Sequence, residues 1–243
     1  YETSQKACAG EGQVADAVLS SASHQMVDLV NRACASRYRS ERTAALPPPR
    51  RWRDELWGLT EEPAVIIYNT DLVAAEEVPR NRFALLDLMR QKPDAYRGRI
   101  ATYDIEESGL GYLYAFSDSL EATTFGALLE GFARTEAVAT CCSAEIINSV
   151  AEGRFLIAYN VLGSYVQNGA AANVGVILPE DYTLFMSRAY LIPRGAANRV
   201  GAERLLDFML SEAGQRIIRD KGLVFEDDPA LGGLLPSARR FIA

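Results

Sequence analysis

Thr140 to Tyr165, TCCSAEIINSVAEGRFLIAYNVLGSY, is the stretch on which the fold turns. It opens on small and hydroxyl-bearing residues, Thr140 to Ser143. An apolar-periodic run follows, with Ile146, Ile147 and Val150 on one face, and stops at Gly153. The continuous apolar run Phe155 to Tyr159 is too short for a helix and suits a buried strand. Asn160 to Tyr165 closes the stretch with a polar, glycine-containing loop. The order is loop, helix, strand, loop. A helix start rich in Thr and Ser offers free N–H groups and a favourable dipole to an anion. The loop after a strand lies at its carboxyl end, where open α/β sheets bind ligands. One segment would thus supply two walls of a site. The same residues also serve as an ordinary helix cap and a tight turn, and both readings stand.

The pattern repeats on either side. Val14 to Leu19 is an apolar run broken by Asp16 and predicts a strand. Ser20-Ser21-Ala22-Ser23-His24 follows, and Met26, Val27, Leu29 and Val30 then show helical spacing. Ser20, Ser21, Ser23 and His24 therefore sit between a strand end and a helix start, as a hydroxyl and N–H cradle or as a serine cap. Arg99 to Tyr103 predicts another strand, followed by Asp104 to Gly111 and a helix from near Tyr112. Ser108, Gly109 and Gly111 would let a ligand approach the backbone, although glycine is common at such turns. Glu106 and Glu107 are adjacent and would point apart in extended chain, which argues against acid–base work there.

Two further runs, Ala64 to Tyr68 and Leu184 to Ile192, lie more than a hundred residues apart and predict strands crossing between two lobes. Val174 to Leu178 is a strand ended by Pro179, and Tyr182 in the turn after it faces a cleft or covers a sheet edge. Pro47-Pro48-Pro49 followed by Arg50, Arg51 and Arg53 predicts an extended link with a solvated basic face. Helical stripes fall at Phe83 to Met89, Phe125 to Phe132 and Ala202 to Ile218. The tail from Gly222 to Ala243 carries no clear assignment. Alternating strands and helices predict parallel α/β sheets.

A chain of 243 residues can bury a sizeable core in one large domain or two lobes. Its net charge of −7 argues against a nucleic-acid partner. No apolar run approaches the ~20 residues needed to span a membrane. The start, YETSQK, is polar and unlike a signal peptide, as it would also be in a processed or trimmed chain. Cys8, Cys34, Cys141 and Cys142 permit disulfides in an oxidising compartment. Cys8–Cys34 is the favoured pair, because adjacent Cys141 and Cys142 bond only with strain; four buried thiols are the alternative. With one histidine and no paired C-x-x-C spacing, neither a metal site nor a cofactor is expected.

Six segments carry a family resemblance. LLDFMLSEAGQRII (Leu205–Ile218) resembles the helix near the C-terminal end of ABC-transporter solute-binding proteins. PAVIIYNTDLV (Pro63–Val73) resembles their first hinge strand, and VILPEDYTLFMSRAYLIPRGA (Val176–Ala196) the return hinge. ADAVLSSASHQMVDLVN (Ala15–Asn31) resembles the first lobe's serine loop. RGRIATYDIEESGLGYLYA (Arg97–Ala115) and GRFLIAYNVLGSYV (Gly153–Val166) resemble the ligand loops of the second lobe. The chain thus resembles type 2 periplasmic binding proteins of the group that includes ferric-ion and phosphonate receptors.

The resemblance implies a two-lobed α/β fold with two hinge-crossing strands. Residues 1–68 and 187–218 would form a first lobe, incomplete at its N-terminus, and residues 69–186 and 219–243 a second. It implies a periplasmic monomer that captures a small anionic or polar solute, hands it to an ABC permease and performs no chemistry. A sensor feeding a membrane-bound signalling protein and a ferric-ion receptor are the alternatives. The expected ligand-binding residues are Ser20, Ser21, Ser23, His24, Ser108, Gly109, Cys141, Ser143, Asn160, Tyr165 and Tyr182. Two departures stand out. Relatives begin with a strand and helix ahead of the equivalent of Tyr1; without them one wall would be incomplete and binding weakened. Ferric receptors carry adjacent tyrosines after the strand, whereas here Asn160 and Val161 follow Tyr159, which ranks iron below an oxyanion or polar organic solute. Cys141 and Cys142 stand where relatives often have Thr or Ser, and a thiol donates weakly.

Overall fold

The computed structural model describes residues 1–169, 171–224 and 238–242. The chain forms two compact units. Unit 1 comprises Tyr1–Glu61, Met186–Val224 and Phe241–Ala243; unit 2 comprises Glu62–Phe185 and Phe225–Arg240. Of the tail beyond Gly222, residues 225–237 and Ala243 lie outside the described residues.

The first pass through unit 1 gives α1 (Glu2–Cys8), β1 (Val18–Ser20), α2 (Ser23–Asn31), α3 (Glu41–Ala45), β2 (Arg51–Trp52) and β3 (Leu56–Gly58). The chain then builds unit 2 with β4 (Glu62–Asn69), α4 (Arg82–Gln91), α5 (Pro93–Tyr96), β5 (Ile100–Tyr103), α6 (Gly109–Glu121) and α7 (Phe125–Arg134). There follow β6 (Val138–Thr140), α8 (Ser143–Ala151), β7 (Ile157–Leu162), α9 (Gly163–Gly169), β8 (Val174–Ile177) and β9 (Thr183–Met186). The return pass adds β10 (Ala189–Leu191), α10 (Arg199–Leu210), α11 (Glu212–Asp220) and β11 (Arg239–Ile242).

In unit 1 the strand order is β1-β10-β3-β2, and every neighbouring pair is antiparallel. The parallel arrangement expected from alternation fails here, because β10 returns from far along the chain and inserts between β1 and β3. The period of two along β10 sorts its side chains. Ala189 and Leu191 pack with Met26, Leu29 and Val30 of α2. Tyr190 packs on the other face with Trp57, Ala202 and Leu206. Helix α1 contributes no buried residue. It is tied to the unit by the Cys8–Cys34 disulfide and by a hydrogen bond from the Tyr1 hydroxyl to Asp28.

In unit 2 the order is β11-β9-β4-β7-β5-β6, with β8 also paired to β4. Strands β6, β5 and β7 are parallel, while β4 runs antiparallel to β7 and β8. The core packs Ile66, Ile100 and Ile157 of the sheet against Leu85, Leu86 and Met89 of α4 and Leu128 of α7. Gly131 of α7 lets the two helices approach, since a Cβ there would meet the Met89 methyl at 2.6 Å.

The expected elements are shifted in three places. The first strand is Val18–Ser20 rather than Val14–Leu19. The return run Leu184 to Ile192 is two strands, interrupted at Ser187 and Arg188, whose hydroxyl and N–H bond to Thr60 instead. The strand expected at Phe155–Tyr159 is Ile157–Leu162, so Asn160 lies within it and not in the following loop. Asn160 has a φ of 57°, the left-handed conformation that asparagine tolerates better than most residues, and the β4–β7 register is irregular between Val65 and Ile67.

Candidate functional site

Because β5, β6 and β7 are parallel, Tyr103, Thr140 and Leu162 end at one edge of unit 2, and α6, α8 and α9 begin there. Ser108 caps α6, its Oγ accepting from Gly111 N–H at 3.0 Å. The first turn packs so closely on β5 that a Cβ at Gly111 would lie 2.4 Å from Tyr103 Cβ. Gly109 therefore opens the helix, three residues earlier than expected. Ser143 opens α8, and its Oγ is 2.5 Å from the Tyr103 hydroxyl. The same hydroxyl accepts the Leu162 N–H at 3.2 Å, so Tyr103 joins the end of β7 to the start of α8. Cys142 is the N-cap of α8 and makes no side-chain cap bond. Cys141 and Cys142 are joined to each other, the pairing that adjacency disfavours. Tyr165 is on α9 and half-exposed. Glu106 and Glu107 are exposed, their N–H groups bonded to Asp104 Oδ1 at 2.8 and 3.3 Å.

Asn160 and Tyr182 belong to a buried network below this edge. Asp118 of α6 accepts from Arg82 Nη2 at 3.1 Å, Tyr159 Oη at 2.7 Å, Asn160 Nδ2 at 2.6 Å and Tyr182 Oη at 2.7 Å. Arg82 also donates to Asp181 at 3.2 Å and to the Tyr182 carbonyl at 2.7 Å, and stacks 3.6 Å from the Tyr182 ring centre. Tyr182 thus anchors a core cation rather than facing a cleft or covering a sheet edge. Burial opposes the guanidinium charge, but the oxygens of Tyr159, Asp118, Tyr182 and Asp181 outweigh it and hold the Arg82 pKa above its ordinary value. Burial, reinforced by Asp118, pushes both the Tyr159 and the Tyr182 phenols up, so both are neutral donors. Asn160 Oδ1 is buried without a hydrogen-bond partner.

In unit 1 the serine loop lies between β1 and α2, as the sequence suggests. Ser20 Oγ accepts the Ala22 N–H at 3.1 Å, which shapes the turn. Ser21 is half-buried beside it. Ser23 is 5% exposed, and its Oγ has no hydrogen-bond partner. His24 is half-buried, and burial lowers its pKa. Ser23 lines a cavity of about 270 Å³ together with Arg50, Trp52, Gly58 and Ser187. The Arg50 guanidinium donates twice to the Gly58 carbonyl, at 3.1 and 3.0 Å, and burial lowers its pKa.

Sequence reasoning missed Arg50 and Ser187 here, and Arg82 and Asp118 in unit 2; the sequence leaves Trp52 open to lining a cleft or to packing. The basic run at Arg50 resembled a solvated face, and nothing local distinguished a guanidinium turned inward. Among the described residues, no three His, Cys, Asp or Glu side chains converge to hold a metal ion. Nor is any helix among them long and apolar enough to cross a membrane.

Two α/β units, with helix N-termini gathered at one sheet edge of unit 2, have the architecture of solute-binding proteins; β4, expected to cross between lobes, lies wholly in unit 2. Residues 49–241 match the family of bacterial extracellular solute-binding proteins, and the chain belongs to it. It is 34% identical to the substrate-binding protein of an ABC transporter from Agrobacterium tumefaciens, with a TM-score of 0.85 over 90% of this chain and 65% of that one. It therefore spans about two thirds of that relative's length. The fold is also that of iron-bound HitA from Pseudomonas aeruginosa, at 16% identity and a TM-score of 0.71, covering 90% of this chain and 71% of that one. A ferric-binding protein from Campylobacter jejuni matches at 17% identity and a TM-score of 0.74, covering 90% and 73% of the two chains. No curated protein matches the chain.

Proposed function

We propose that this chain is the solute receptor of an ABC importer, working in the periplasm as a monomer. Its two units would act as lobes that capture a small anionic or polar solute and present it to the membrane permease without chemical change. The observation that carries this reading is the pair of helix starts, α6 and α8, at the carboxyl edge of parallel strands in unit 2. The first-turn N–H groups of α8, those of α6 that the Ser108 cap leaves unshared, and the positive dipole ends favour an oxyanion. Ser108, Gly109, Cys141, Ser143 and Tyr165 would furnish this half of the site. Ser20, Ser21, Ser23 and His24 would furnish the other, with the Arg50 guanidinium supplying positive charge in the cavity beside Ser23. Asn160 and Tyr182 would act from below, as supports.

Some fold relatives bind ferric ion, but this chain is poorly equipped for it. Asn160 and Val161 follow Tyr159 where ferric receptors carry adjacent tyrosines, and the Tyr159 hydroxyl is committed to Asp118. A thermal-shift series with phosphonates, phosphate esters, carboxylates, polyamines and Fe(III) tests the reading, because a ligand of the folded state raises its melting temperature. Stabilisation by an oxyanion and none by Fe(III) is expected; stabilisation by Fe(III) alone would overturn the proposal.

A further inference from the structure

We propose that Cys141–Cys142 is a thiol–disulfide exchange site that switches the start of α8 between an open and a self-capped state. Three observations lead there. The two cysteines are neighbours in sequence and are bonded to each other, closing an eight-membered ring through a single peptide. Disulfides normally bridge positions further apart, and constrained or exposed ones are the labile ones. Cys142 is exposed and Cys141 half-buried, which gives a reductant access; Cys8 of the other disulfide is exposed too and Cys34 buried, so the eight-membered ring, not exposure, sets Cys141–Cys142 apart. The ring also occupies the N-cap of a nine-residue helix and takes away the atom that would cap it. Ser40, Asn81, Ser108, Asn198 and Ser211 each accept an N–H of their own helix; Cys142 does not.

The chemistry balances with a dithiol reductant as co-reactant. Its thiolate attacks Cys142 Sγ, the S–S bond breaks, and Cys141 leaves as a thiolate that takes up a proton. The reductant's second thiol then attacks the mixed disulfide and releases Cys142, and the reductant departs as its own disulfide. Two electrons and one proton have moved to the protein, and the reductant's other proton goes to solvent. The freed Cys142 sulfur sits at a helix N-terminus, where the dipole favours the thiolate. It can then rotate to accept from the N–H groups of Ala144 or Glu145, as a capping side chain does. These are donors that a bound oxyanion would use, so the oxidised form leaves the helix start open and the reduced form closes it. The Thr140 hydroxyl, bonded to Glu145 at 2.7 Å, brackets the ring and carries the change into the first turn. The exchange itself stands apart from the importer reading; only its consequence for solute rests on it.

The full chain is equilibrated with graded dithiothreitol under folding conditions, quenched with an alkylating agent and mapped by mass spectrometry, while amide exchange is followed by NMR. Cys141 and Cys142 should become alkylated at reductant concentrations at least about tenfold below those that open Cys8–Cys34. The Ala144 and Glu145 amides should exchange more slowly after reduction. The C141A/C142S variant, with a hydroxyl at the cap, should show the same slowing without reductant, and C141A/C142A should not. Opening of both disulfides together, opening of Cys8–Cys34 first, or unchanged exchange at Ala144 and Glu145 on reduction would overturn the proposal. Neither readout uses a solute, so a chain that takes no oxyanion would sink the importer reading and leave this one standing.

Discussion

Replacing Asp118 by asparagine should cripple unit 2 even though the shape of the side chain is kept. Asp118 is 1% exposed and Arg82 is fully buried, so the pair is stable only as a pair. Four donors converge on the carboxylate, from Arg82, Tyr159, Asn160 and Tyr182. Asparagine offers one acceptor oxygen, turns an NH2 group toward at least one of those donors, and removes the charge that balances the guanidinium. Leaving a buried ion without its partner costs about 3–5 kcal/mol. Asp181, 3.2 Å from Arg82 and 17% exposed, retains part of the compensation, which points to the lower end.

A loss of about 3 kcal/mol lowers amide protection in β4, β5 and β7 by roughly a hundredfold, and native-state hydrogen exchange reads this strand by strand. Replacing both partners with apolar residues, Arg82→Met with Asp118→Leu, removes the uncompensated ion but strands the Tyr159, Asn160 and Tyr182 donors at about 1–3 kcal/mol each, so the double variant should be no more stable than D118N. A loss below about 1 kcal/mol in D118N would refute the view that mutual charge compensation holds this core together.

Other perturbations have equally definite outcomes. Tyr103→Phe removes the acceptor of the Leu162 N–H and the partner of Ser143, and should cost about 1–3 kcal/mol in urea unfolding. Cys8→Ser with Cys34→Ser releases a loop of 26 residues' separation and should cost about 3–4 kcal/mol on the chain-entropy account; because α1 buries nothing, fast exchange confined to that helix should accompany it. His24 has its pKa lowered by burial, so between its ordinary value of about 6.5 and the lower folded value the unfolded chain binds more protons. Stability should then be insensitive to His24 above pH ~6.5 and fall as the pH drops below it, and His24→Gln should flatten that part of a stability–pH curve.

The sequence was most informative where local rules act alone. Strand ends, serine caps and the helix starts at Ser108 and Ser143 follow from short patterns, and they place most of the expected contact residues at strand or helix termini. The strand pairing of unit 1 was not legible. Periodicity along Leu184 to Ile192 says that a strand forms but not that it inserts antiparallel between β1 and β3. Asn160 reads as a loop residue because polar side chains usually leave strands; a buried carboxylate 42 positions away in sequence keeps it inside. Arg82 and Asp118 are 36 positions apart and each falls on an ordinary helix, so nothing local marks either as a core ion. Arg50 looked solvated because its neighbours are proline and arginine, yet it turns inward to the Gly58 carbonyl.

The central claim is that the chain grips an oxyanion at the starts of α6 and α8 and leaves it unchanged. Calorimetric titration of the oxidised chain with a phosphonate, alongside the Ser108→Ala/Ser143→Ala variant, tests it most directly. One site per chain is expected, markedly weakened in the variant, with the phosphonate recovered intact. Equal binding by both proteins, no binding by either, or conversion of the phosphonate would contradict it.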